Sequence, residues 1–109
     1  MSANAEKEYE AVASEIVSST PSSKGKMFGM PVLKNEYGKA FAGYTGTGMV
    51  FKLSGPSHGE ALGLAGAKLF DPMGGRPMKE WVDVPVEHVE KWPALARAAL
   101  EYTSLQKAK

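Results

Sequence analysis

Residues 27–53, MFGMPVLKNEYGKAFAGYTGTGMVFKL, decide the fold. Three short apolar runs are separated by two turn signals, Asn35-Glu36-Tyr37-Gly38 and Thr45-Gly46-Thr47-Gly48. Gly-bearing breaks of this length join antiparallel neighbours. The third run alternates, with Met49, Phe51 and Leu53 on one face and Val50 and Lys52 on the other. In the first run Phe28, Met30 and Val32 share a face. The reading predicts a three-stranded antiparallel sheet at the centre. Pro31 lies inside the first strand and cannot donate to a ladder, so that strand is expected at an edge or bulged. Gly29 beside it suits a bulge or a close approach.

Outward from the sheet, helices are expected on both sides in sequence. Tyr9, Val12, Ala13, Ile16 and Val17 form one face of a helix over residues 4–18. Glu6, Glu8 and Glu10 crowd its first turns, where the helix dipole favours acid. A polar break, Ser18 to Ser23, turns the chain. After Leu53, residues 57–65 read as a short helix with Leu62 and Ala65 inward, weakened by Gly59 and Gly63. Lys68-Leu69-Phe70 starts a fourth strand and residues 78–84 form a fifth. In the fifth, alternation places Met78, Val82 and Val84 with Glu80, and Trp81 opposite. A helical turn over 86–91 precedes a last helix with Pro93 at its first position and Leu95, Ala99, Leu100 and Tyr102 along one side. The predicted class is α+β: a meander plus a hairpin, packed by helices, in the order α-β-β-β-α-β-β-α.

With 109 residues the chain reads as one domain, 1–109, with a core over about 9–104. It holds no cysteine, which excludes disulfides and thiolate metal sites. The N-terminus has no signal-peptide pattern and no run is long enough to span a bilayer, so a cytoplasmic, membrane-free protein is expected. Residues 1–20 carry one Lys against four Glu, whereas residues 21–54 carry Lys24, Lys26, Lys34, Lys39 and Lys52 against Glu36. The central sheet is therefore mildly basic. Lysine guards sheet edges, and five lysines without an arginine lack the bidentate donors that dominate phosphate and base recognition.

Chemistry is sparsely represented. Gly43 and Gly48 have the first spacing of a phosphate loop, but Met49 stands where its lysine belongs. His58 and His88 lie thirty positions apart, without metal-ligand spacing. Ser57 and His58 are neighbours, which prevents them from meeting as nucleophile and base on a helix. No catalytic residue, cofactor site or metal site is read. Two surface candidates stand out. One is the adaptable apolar group Met27, Phe28, Gly29 and Met30 with Lys26 and Lys39 nearby. The other is Arg76, Lys79 and Trp81, a cationic and aromatic set of the kind enriched at interfaces.

Several short motifs, in order, resemble the TfoX N-terminal domain family. They are Lys26-Met27-Phe28-Gly29, Gly38-Lys39-Ala40-Phe41-Ala42, Val50-Phe51-Lys52-Leu53, Gly66-Ala67-Lys68-Leu69-Phe70, and Arg76 through Pro85 with the turn Val86–Lys91 that follows. The similarity spans residues 9–104, and the segment Ser54–Gly59 departs from it. It implies an α+β domain of the secretion-chaperone-like type. The best-known members are bacterial regulators of competence for DNA uptake, and they carry a second helical domain that is not read in this sequence. The resemblance carries over no catalytic residues. The expected function is therefore non-catalytic and regulatory, by contact with a protein partner or a second copy through the sheet. The alternatives are nucleic-acid binding by the basic sheet, which needs its five lysines on one face, and small-ligand binding or catalysis, which needs a closed pocket.

Overall fold

The computed structural model describes residues 5–105, except 28, 47, 72–74 and 76–77. The elements are α1 (Ala5–Ser19), β1 (Ser23–Met27), β2 (Met30–Lys34), β3 (Ala40–Tyr44), β4 (Gly48–Lys52), α2 (Gly55–Leu62), β5 (Lys68–Phe70), β6 (Met78–Pro85), a 3₁₀ turn (Val86–Lys91) and α3 (Trp92–Leu105). Six antiparallel strands form one sheet in the order β1-β2-β3-β4-β6-β5. The α+β class and the antiparallel sheet are as the sequence predicts. The strand count differs.

The difference lies in the first apolar run. It is a hairpin rather than one strand: Met27 pairs with Met30, and Gly29 between them has φ +75°. A left-handed φ is freely adopted only by glycine, so Gly29 makes the reversal. Pro31 consequently sits on a strand with neighbours on both sides. The β2–β3 register begins at Val32, beyond Pro31, so the missing N–H costs that ladder nothing.

All three helices pack on one side of the sheet. Tyr9, Val12, Ala13 and Ile16 of α1, Ala61 of α2, and Trp92, Ala96 and Ala99 of α3 share a core with Leu33, Phe41, Ala42, Met49, Phe51, Leu53, Val82 and Val84. A register shift between Leu33 and Lys34 gives β3 one extra residue, and this turns both Phe41 and Ala42 to the helix side. The buried stripe of α3 is Trp92, Ala96, Ala99 and Thr103, rotated from the expected Leu95–Ala99–Tyr102 line. Small residues in that stripe let the helix approach the strands, while Leu95, Leu100 and Tyr102 flank it half-buried. Helix α1 ends at Ser19, where Thr20 caps it with a side-chain bond to the Ile16 carbonyl at 2.6 Å and Pro21 prevents continuation.

Helix α2 starts earlier than the sequence reading places it, because Pro56 suits the first turn of a helix. Its inward residue is Ala61. Leu62 is exposed and Ala65 lies beyond the helix, also exposed.

Strands β4 and β6 approach closely at Gly48. A Cβ there would lie 2.4 Å from the Val84 carbonyl oxygen. Glycine is the only residue this register admits.

Candidate interaction surface

The other side of the sheet bears no helix among the described residues. Its apolar centre is Val50, Phe70 and Trp81, with Met30, Ala40 and Met78 packed around them. Cross-strand pairing accounts for the grouping: Lys52 faces Trp81 and Val50 faces Asp83, so these four share a side. Gly43, between Val32 and Val50 in the register, leaves a slot that the Met30 methyl and a Val32 methyl fill, 2.9 and 3.0 Å from where its Cβ would be. That slot lets Met30 join the cluster.

Met78 corrects the sequence reading. Alternation places it with Val82 and Val84, but it packs with Trp81 on the opposite side. The cause is an irregularity: β5 pairs Leu69 with Val82 and then Phe70 with Met78, which leaves three β6 residues without counterparts.

Trp81 is only 6% exposed, so it cannot act as the projecting aromatic of a cationic patch. Lys79 is exposed, and its backbone carbonyl accepts a hydrogen bond from His58 Nε2 at 2.7 Å. Arg76 and Phe28 lie outside the described residues, as does the side chain of Met27. Met30 is half-buried, while Lys26, Gly29 and Lys39 are exposed. The structure therefore joins Met30 and Trp81 in one cluster, and pairs Lys26 with Pro31 at the sheet edge. The backbone N–H of Lys39 donates to Asn35 Oδ1 at 3.1 Å, in the β2–β3 turn.

The five lysines divide between the two sides of the sheet and its turns. Lys24 and Lys26 pair with Leu33 and Pro31, which places them on the helix side. Lys24 forms an ion pair with Glu10 of α1 at 3.0 Å. Lys34 and Lys52 belong to the helix-free side, where the Lys34 stem lies 3.0 Å from where a Gly25 Cβ would be. Lys52 lies 3.8 Å from Glu80, whose carboxylate also accepts from the Tyr102 hydroxyl of α3.

Asp83 is a half-buried charged group on the helix-free side. Its burial pushes the carboxyl above its usual range, and Lys68, directly across in β5, partly opposes this. Sequence reasoning missed Asp83 and Lys68 as neighbours because β5 and β6 are joined by a connection whose register the sequence does not specify. Both histidines brace the fold: His88 Nε2 donates to the Ala65 carbonyl at 2.7 Å, and a carbonyl can only accept.

Among the described residues, no group of three or more His, Asp or Glu is placed to hold a metal, and no helix is long and apolar enough to cross a membrane. No family model, curated protein or solved structure matches the chain.

Proposed function

We propose that this chain is a regulatory protein-contact domain of the TfoX N-terminal type, without chemistry of its own, that docks an acidic partner protein on the helix-free side of its sheet. One observation carries the reading. Met30, Ala40 and Met78 form a half-covered apolar ring around the nearly closed Val50–Phe70–Trp81 centre, on the side that no described helix occupies. Methionine ends adapt to a partner's shape at little cost. Lys68 faces Asp83 and Lys52 pairs with Glu80 at 3.8 Å, which leaves Lys34 beside this ring without an acidic partner among the described residues. That imbalance favours an acidic partner. Two copies of the chain set face to face would oppose lysine to lysine.

The test combines sedimentation with crosslinked capture. The purified protein is expected to sediment as a monomer. A species captured by the wild-type chain should be lost with the double variant Met30→Asp, Met78→Asp and with Lys34→Glu. It should be retained with Lys26→Glu, which alters the helix side. Equal capture by all four chains would remove the reading. A dimer that dissociates on Met30→Asp would replace the partner by a second copy.

Nucleic-acid binding is the weaker reading, because the lysines do not converge on one side. Fluorescence anisotropy with a generic duplex is expected to show no binding at low salt. Binding that falls steeply with salt and with Lys26→Gln plus Lys39→Gln would reverse that ranking.

A further inference from the structure

Helix α2 and the start of α3 enclose a groove of about 430 Å³, open on one side and remote from the sheet face described above. Its lining is Glu60 and Ala61 of α2, Leu64 of the following connection, Lys91, and Ala94 and Leu95 of α3. Ala61 is buried and Leu64 and Leu95 are half-buried, so the groove has an aliphatic base. Its size falls at the lower end of the range for small-ligand sites.

The walls are held in place. Leu64 donates to the Ala61 carbonyl at 3.2 Å, and Ala67 to the Leu64 carbonyl at 3.0 Å. The His88–Ala65 bond ties this connection to the 3₁₀ turn that ends at Lys91. Trp92, which begins α3 next to Lys91, is fully buried.

The two charges decide what fits. Glu60 and Lys91 line the same groove, yet neither side chain has an ion pair or hydrogen bond among the described residues. They come from different elements. A purely anionic ligand would gain Lys91 and be repelled by Glu60, and a purely cationic one would meet the reverse. A ligand with both signs satisfies both groups. The aliphatic base adds the requirement of an apolar body.

We propose that this groove binds a small zwitterion with an apolar body, of the class of free hydrophobic amino acids and dipeptides. The ligand amine meets Glu60, its carboxylate meets Lys91, and its side chain covers Leu64 and Leu95. This site is independent of the sheet face, so either can fail without the other.

The probe is leucyl-leucine, titrated into ¹⁵N-labelled protein and followed by amide chemical shifts. N-acetyl and C-terminal amide forms of the same dipeptide serve as comparisons. Saturable shifts are expected at residues 60–65 and 91–95, the groove's own segments. Exposed ion pairs contribute little each, so each capped form and each of Glu60→Gln and Lys91→Gln should weaken binding roughly two- to fivefold. Both residues are exposed, so the variants should keep the wild-type spectrum elsewhere. Three results would overturn the assignment: no saturable shift up to about 10 mM probe, equal binding of the capped forms, or no effect of either variant.

Discussion

The side-chain amide of Asn35, at the end of β2, donates to the hydroxyl of Thr103, near the end of α3, at 3.2 Å and across 68 positions of sequence. Both residues are buried, at 2% and 0% exposure. Asn35 Oδ1 also accepts from the backbone of Tyr37 at 2.9 Å and of Lys39 at 3.1 Å, and its carbonyl accepts from Gly38 at 3.0 Å. Thr103 in turn donates to the Ala99 carbonyl at 3.0 Å. One asparagine therefore shapes the β2–β3 turn and fixes it to the last helix.

Asn35→Ala should lower stability by about 2 kcal/mol, since it strips two turn N–H groups of their acceptor and removes the tie to α3. Thr103→Val should cost about 1 kcal/mol by leaving the Asn35 amide unpaired. In the double variant the losses should fall short of their sum by at least about 0.5 kcal/mol. Urea midpoints of the four proteins measure this. Strict additivity would mean that the bond contributes nothing.

Two glycines should respond in opposite directions to alanine. Gly48→Ala sets a methyl against the Val84 carbonyl and the Pro85 Cα, both backbone. The strands must separate, at about 1–3 kcal/mol or more. Gly59, in α2, has nothing within 4 Å of where an alanine methyl would sit. Gly59→Ala should therefore stabilise by up to about 1 kcal/mol, through helix propensity alone. Thermal melting of the two variants separates them by sign.

Local pattern makes much of the fold readable. The Tyr9–Val12–Ala13–Ile16 stripe and the Met49–Phe51–Leu53 alternation are buried as their periods imply. The β1–β2 hairpin is hidden because its reversal at Gly29 lies within an apolar run that reads as strand interior. Alternation puts Met78 on the wrong side because one irregularity in β6 reverses every face before it. The groove is illegible for another reason. Glu60 and Lys91 are separated by two strands and a turn, and nothing local marks them as neighbours.

Asp83 should make the protein more stable in mild acid than its other carboxylates would suggest. Its folded pKa is raised, so the folded state binds its proton more tightly than the unfolded chain does. The contribution is present at low pH and is lost as pH rises through the folded value. At neutral pH the ionised group is half-buried at a cost that Lys68 only partly offsets. Asp83→Asn should then leave stability at neutral pH unchanged or slightly higher, and Lys68→Gln should lower it. Destabilisation by Asp83→Asn would show that the Lys68 contact outweighs desolvation. Urea midpoints across the acid range distinguish the two.

Tyr9 makes the sharpest pH prediction. Its ring stacks on Tyr44 at a centroid distance of 5.4 Å, and it is 1% exposed. Its hydroxyl has no hydrogen-bond partner among the described residues. Burial, with a smaller contribution from Glu10, pushes its pKa from 10.0 up to about 12. Below pH 10 the phenol is neutral in both states and ionisation costs nothing. Between pH 10 and about 12 the unfolded chain loses this proton while the folded chain keeps it. Stability should fall there by up to about 1.4 kcal/mol per pH unit from this group. Tyr9→Phe should remove that slope. It should also hold or raise stability near neutral pH, because it deletes a buried hydroxyl that bonds to nothing and keeps the stacked ring. A loss above about 1 kcal/mol near neutral pH would mean that the hydroxyl has an acceptor in solution. The alkaline slope of the wild type would then persist, since donating a hydrogen bond also holds a phenol in its neutral form.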